Sequence, residues 1–155
     1  MIEISIESPD QGEVIELLKA SDDHVAALYP AESNHMLDVS KLKGPDVTFV
    51  VARIDGMALG CAAIVDSGEA WAEIKRMFVS PAGRGQKIGR RLLEQLESIA
   101  VNRGVSLLRL ETGIKQLEAL TLYRSCGFVE VGPFASYRPD PLSVFMEKRI
   151  SREAG

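Results

Sequence analysis

Alternating apolar and polar positions open the chain: Ile2, Ile4 and Ile6 are interleaved with Glu3, Ser5 and Glu7, the period of a half-buried strand. Ser8-Pro9-Asp10 breaks the alternation. From Glu13 the period lengthens, with Val14, Leu17, Leu18, Val25 and Leu28 at helical spacings, which predicts one or two helices over 11–29, ended by Pro30. Residues 31–46 read as loop or short helix. Val47 to Arg53 and Met57 to Val65 flank Ile54-Asp55-Gly56, where Asp-Gly predicts a tight hairpin, and a third strand is expected from Ala70 to Val79. Ser80-Pro81-Ala82-Gly83 stops it. Ile88, Leu92, Leu96 and Ile99, with Leu93 and Ala100 beside them, form one stripe of a helix that runs to about Arg103 and is closed by Gly104. Val105 to Leu110 is short and apolar enough for a buried strand, and Leu117 to Cys126 predicts a helix stopped by Gly127. Phe128 to Val131 and Leu142 to Arg149 predict the last two strands, bridged by a loop holding Pro133, Pro139 and Pro141.

The order βααβββαβαββ predicts a single α/β domain over 1–150, with one mixed sheet, helices on both faces and a frayed tail over 151–155. Composition agrees: the 155 residues are 46% hydrophobic and 26% charged, which excludes a disordered or collagen-like chain. No apolar run approaches the roughly 18 to 20 residues of a membrane span, and the chain starts as a strand rather than a signal peptide. A cytoplasmic protein with no membrane partner is therefore expected. Cys61 and Cys126 are too few for a disulfide framework and form no CxxC, so both are expected to be reduced core thiols, with no metal site.

Charge is split between the two halves of the chain. Residues 1–70 carry 4 Lys or Arg against 13 Asp or Glu, net −9, whereas residues 71–155 carry 14 against 9, net +5. Lys75, Arg76, Arg84, Lys87, Arg90 and Arg91 form a window free of acidic residues, which points to an anionic ligand. Nucleic acid is not expected, because the overall balance is acidic and no aromatic residues interleave the window. The same window holds a strand-turn-helix junction, Val79-Ser80-Pro81-Ala82-Gly83-Arg84-Gly85-Gln86-Lys87-Ile88-Gly89. Backbone N–H groups at such a helix start face one concavity, with the positive end of the helix dipole behind them, and can hold a phosphate. Gly85 and Gly89 would let a ligand approach the backbone. No GK[ST] follows, so this is not a Walker A loop, and Ile88 stands where a Rossmann fingerprint needs its third glycine.

The spacing Val79-x-Pro81-x-x-Arg84-Gly85-x-x-Ile88-Gly89-x-x-Leu92-Leu93, with Ala119-x-x-Leu122-Tyr123-x-x-x-Gly127-Phe128 following about 35 residues on, resembles the GNAT superfamily of acyl-CoA-dependent N-acyltransferases. The resemblance covers residues 47–131 and implies a mostly antiparallel twisted sheet of about seven strands that splays into a V-shaped slot for acetyl-CoA. Carried over by position, Arg84, Gly85, Gln86, Lys87, Ile88 and Gly89 match the pyrophosphate-binding turn. Met77, Phe78 and Val79 match the strand end that pairs with the pantetheine arm. Gln116 stands where the family usually has Asn, and Tyr123 matches the tyrosine taken to protonate the departing CoA thiolate. Lys87 replaces the motif's middle glycine, which is compatible with ordinary helical dihedrals and an outward side chain. Glu73, on the strand ahead of the turn, matches a glutamate that acts as base in some members; the bland alternative is a strand carboxylate paired with Lys75 or Arg76.

The acceptor is expected to be an amine of a small molecule or peptide, drawn to the acidic half of the chain. Tyr29, His35 and Asp38, in a stretch dense in aromatic, acidic and amide groups, are candidates for its recognition, with His24 and Trp71 as weaker ones. Tyr137 and Arg138 lie in a late segment that resembles a bacterial branch of the superfamily of mostly unassigned substrate. Either they meet the acceptor or they pin their loop, and Arg76 or Arg138 could hold an acceptor carboxylate. Direct transfer needs no protein nucleophile, in keeping with the absence of GxSxG. The alternative is a CoA-binding regulatory module without turnover. A homodimer is left open.

Overall fold

The computed structural model describes residues 1–30 and 38–150. Its strands are β1 (Ile2–Ile6), β2 (Val47–Ile54), β3 (Met57–Asp66), β4 (Trp71–Val79), β5 (Leu107–Gly113), β6 (Val129–Val131) and β7 (Ser143–Arg149). Its helices are α1 (Gly12–Leu28), α2 (Val39–Leu42), α3 (Ile88–Asn102) and α4 (Leu117–Ser125). The strands form one sheet in the order β1-β2-β3-β4-β5-β7-β6, antiparallel throughout except for the β4–β5 pair. Residues 11–29 thus hold one helix rather than two. β5 runs three residues past the apolar stretch, because Glu111, Thr112 and Gly113 pair with Phe145, Val144 and Ser143 of β7. The expected tail over 151–155 falls outside the described residues. No helix among the described residues is long and apolar enough to cross a membrane.

The sheet is buried on both faces at its centre. Val50, Ala52, Ala62, Ile64 and Ile74 face α3 and α4, meeting Ile88, Leu92 and Leu96, while Phe49, Val51, Cys61 and Ala63 face α1 and α2, meeting Val14, Leu17, Leu18 and Leu42. Leu92 and Leu96 are fully buried, each stabilising the fold by about 1.5–3 kcal/mol through transfer from water. These contacts fix α3 on β3 and β4, so the turn at its N-terminus is held rigidly beside the sheet. Cys61 is a core thiol whose burial pushes its pKa up to about 12, but Cys126 is only half-buried, so the expectation of two core thiols holds for one.

The edge of the sheet is tied by an ionic clasp. Arg53 donates from Nε to Glu7 Oε2 (3.0 Å) and from Nη2 to Glu7 Oε1 (2.9 Å), and its Nη1 reaches Glu13 Oε1 of α1 (2.6 Å). These bonds, led by that from Arg53, hold the Glu7 carboxyl at about 2, below its ordinary 4.5. A depressed carboxyl contributes stability that is present above the unfolded-state value and is lost as pH falls through the folded one. The urea-unfolding free energy is expected to drop between about pH 5 and pH 2 by on the order of 2 kcal/mol more in the wild type than in Glu7→Gln. Parallel profiles for the two proteins would contradict this.

Candidate active site

The β4–β5 ladder runs from Trp71↔Leu107 to Ile74↔Leu110 and stops. Beyond it β5 continues against β7, and β4 continues against β3, where Phe78 faces Cys61 and Val79 faces Gly60. The two parallel strands therefore part at Lys75 and Glu111, opening the V-shaped slot that the resemblance implies. A bulge causes the divergence: the β3–β4 register shifts between Cys61 and Ala63, and Arg76 takes a left-handed φ of 57°. Such a conformation costs a non-glycine residue about 1–2 kcal/mol. Side-chain bonds to α1 offset that cost, since Arg76 Nη1 donates to Asp22 Oδ1 (2.7 Å) and Nη2 to the Leu18 carbonyl (3.0 Å). Arg76 is only 8% exposed and is held to α1 by these bonds, yet it lines the slot, and its Nε is buried without a hydrogen-bond partner among the described residues.

At the mouth of the slot a single 3-10 turn, Pro81–Gly83, leads through Arg84 to the start of α3. Gly85 has φ 81° and a Cβ on it would meet nothing within 4 Å. Among the described residues, none of the backbone N–H groups from Gly85 to Arg90 has an acceptor, the usual state of helix-initial donors facing a ligand site. Arg84, Gly85, Gln86 and Lys87 are exposed and Ile88 is buried beneath them. Lys87 does not have the ordinary helical dihedrals expected of it. As the N-cap of α3 it sits at φ 61° and ψ 25°, so the turn demands the conformation that glycine supplies elsewhere, and lysine adopts it under strain. Lys87→Gly keeps this backbone and removes one exposed cation, so acetyl-CoA affinity should fall by roughly fivefold or less. Lys87→Val removes the same charge and resists the left-handed region, so calorimetry should show a loss of more than about tenfold. Equal losses would show that the backbone turn is not what binds.

Gly89 also has a packing role. A Cβ there would lie 2.7 Å from Leu122 Cδ2 and 3.6 Å from Met77 Cε, so its missing side chain admits α4 and β4 against the start of α3.

The floor of the slot is built by α4. Tyr123 is 5% exposed, lines the slot and stacks edge-on to Phe128, with ring centroids 5.7 Å apart. Its hydroxyl has no hydrogen-bond partner among the described residues, and burial pushes its pKa up, so the phenol stays protonated across the neutral range. Gln116 accepts the Gly113 N–H at Oε1 (3.1 Å), which leaves its amide NH2 to donate. It therefore caps the β5–α4 turn and lines the slot. Tyr29 locks the other side: its hydroxyl accepts the Lys115 N–H (2.8 Å), and a Cβ on Gly113 would stand 2.0 Å from that oxygen.

On the face of the sheet toward α1, Glu73 is 13% exposed and accepts from Tyr137 Oη (2.5 Å), with Lys75 Nζ 3.3 Å away and also donating to the Tyr137 hydroxyl. Burial and the adjacent Glu73 carboxylate keep the Tyr137 phenol protonated. Lys75 lines the slot, and the Glu73 carboxylate stands behind it. Met77, Phe78, Gln116 and Tyr123 are thus brought together around one cleft, whereas Val79 is at its outer end. Asp38 is not part of it: its carboxylate caps α2 by accepting the Lys41 N–H (3.0 Å), which lowers its pKa. Arg138 is exposed on the late loop, and His35 lies outside the described residues. Ser21, His24 and Val25 of α1 line the slot, of which only His24 was a candidate, and a weak one, and so do Glu111 and Thr112. The i, i+3, i+4 spacing of the three α1 residues with Tyr29 beyond was the available signal.

The model of the acetyltransferase (GNAT) family matches residues 13–128. An IAA acetyltransferase of Azospirillum brasilense is 51% identical over 150 residues, covering 96% of this chain and 98% of its own. A provisionally named acyl-CoA N-acyltransferase from Klebsiella pneumoniae superposes with a TM-score of 0.86 at 41% identity, over 97% of this chain and 98% of that one. The PaiA N-acetyltransferase of Thermoplasma acidophilum, solved with coenzyme A, shares the fold at a TM-score of 0.75 and 21% identity, over 96% and 99% of the two chains.

Proposed function

The chain belongs to the acetyltransferase (GNAT) family, and from that premise we propose that it moves the acetyl group of acetyl-CoA directly to an amine of a small molecule or peptide. The observation that carries this reading is the parting of β4 from β5 above the unpartnered Tyr123 hydroxyl, with the open N–H groups of Gly85 to Arg90 at its mouth. These residues fit acetyl-CoA: the open N–H groups, Arg84 and Lys87 suit its diphosphate, and the unpaired edge of Met77 to Val79 suits the amides of its pantetheine arm. The thioester supplies an activated acetyl carbon with a thiol leaving group.

An alkyl ammonium of pKa about 10.4 must lose a proton before its nitrogen can attack. Glu73 is the acceptor for that proton, reached through the Tyr137 hydroxyl that already donates to it, or through water. As the new C–N bond forms and the C–S bond breaks, charge gathers on sulfur, and the second amine proton leaves the nitrogen for that thiolate, giving the amide and free thiol. Tyr123 donates a hydrogen bond to that sulfur, whose thiol pKa is roughly 8.5 on the cysteine scale, well below that of the phenol. Stabilisation of the thiolate, rather than complete early proton transfer, is what a phenol of raised pKa provides. Tyr29 and Gln116 hold the walls between which this happens.

The test is a thermal shift on adding acetyl-CoA, followed by an amine panel scored by thiol release. Stabilisation with release of free CoA and an equal yield of acetylated amine is expected. Stabilisation without turnover would favour a CoA-binding regulatory module, and acetylation confined to alcohols or thiols would overturn the amine assignment.

A further inference from the structure

Arg109 stands on β5 two residues before Glu111, on the same face, so about 7 Å of strand separates it from the slot. Its guanidinium lies 5.0 Å over the Trp71 ring and 5.5 Å over that of Phe134. Nε is buried and has no hydrogen-bond partner. Two carboxylates flank it in register, Glu73 across β4 and Glu147 across β7, yet neither is ion-paired with it. Glu73 is turned to Lys75 and Tyr137. A half-buried guanidinium between two aromatic rings, short of acceptors and a strand step from the reacting cleft, is a prepared seat for an anion.

We propose that Arg109 binds a carboxylate of the acceptor, so the acceptor is an amine that also carries a carboxylate, an amino acid or a peptide with a free carboxyl group. This rests on the acetyltransferase reading above and narrows it. Lys75, on the neighbouring strand and lining the slot, is already paired with Glu73 at 3.3 Å, whereas Arg109 is in no ion pair among the described residues. The rings of Trp71 and Phe134 hold the guanidinium plane, so little side-chain freedom remains to be lost on binding.

The experiment compares amino acids of several chain lengths with their carboxamides as acceptors, in the wild type, Arg109→Met and Arg109→Lys, by thiol release at saturating acetyl-CoA. Met keeps the unbranched stem against Trp71 without the charge. The wild type is expected to favour the free acid over its amide by roughly 10- to 100-fold in kcat/KM, mainly through KM, the range of a charge-assisted hydrogen bond. Arg109→Met should lose that preference to within about threefold, with Arg109→Lys intermediate, while acetyl-CoA affinity by calorimetry is retained. A wild type that acetylates amides as readily as acids overturns the proposal, whatever the fate of the variants. So does Arg109→Met with an unchanged acid-to-amide ratio and a lower melting temperature, the signature of an arginine that only pins its loop. Binding of acetyl-CoA without acetylation of any amine overturns the acetyltransferase reading itself, and this proposal with it.

Discussion

Removing one oxygen atom, in Tyr123→Phe, is expected to lower kcat by about 100-fold and to leave acetyl-CoA affinity unchanged. The phenol ring packs on Phe128 within the core, and phenylalanine preserves that packing, so stability should hold. What disappears is a donor that has no protein partner and lies in the cleft. Because burial pushes the phenol's pKa up, its proton is present at every pH where the enzyme is folded and active. The loss should accordingly be the same across the neutral range, with the acidic limb of the pH profile unmoved. Glu73→Gln should instead lower kcat/KM for the amine. Pre-steady-state measurement of thiol release separates the chemical step from product release; wild-type chemistry in Tyr123→Phe would remove the residue from the mechanism.

Gly89→Val is expected to weaken acetyl-CoA binding by at least about 30-fold and to cost about 1–3 kcal/mol of stability, the range for overpacking a close contact. Its Cβ alone would press on Leu122, at 2.7 Å, and two further methyl groups add Met77 to the collision. The start of α3 must then move away from α4 and β4, carrying the open N–H groups with it. Gly89→Ala gives a graded comparison, since the flexible end of Leu122 can yield to one carbon, and a loss of roughly threefold is expected. Calorimetric titration of both variants checks the order. Equal affinities for wild type and Gly89→Val would mean that acetyl-CoA does not seat on this turn.

The elements were legible because each carries its own period. The alternation of Ile2, Ile4 and Ile6, the stripe Ile88-Leu92-Leu96 and the Asp55-Gly56 turn all specify local structure, and the structure has the βααβββαβαββ order they imply. Placement of β7 between β5 and β6 was not legible, because it rests on pairings such as Glu111↔Phe145 that no local pattern encodes. The cofactor turn was visible as spacing, but the strain at Lys87 was not, since lysine gives no hint of a positive φ. The hold on Arg76 was hidden for a related reason. Its charge placed it with the cationic window, while the bulge at its own backbone turns the side chain beneath α1 to Asp22. Asp38 likewise reads equally well as a ligand group or a helix cap, and the cap prevails. Arg109 escaped notice altogether within an apolar strand, because its meaning depends on Trp71 and Phe134, which reach it only through the fold.

Hydrogen exchange followed peptide by peptide, with and without acetyl-CoA, tests most directly the claim that the cofactor lies in the slot between β4 and β5. The account predicts that protection on binding concentrates in the open N–H groups of 85–90 and the unpaired edge of 77–79. Protection absent from both segments, or confined to the groove on the far side of α3 beside Cys126 and Lys148, would contradict it.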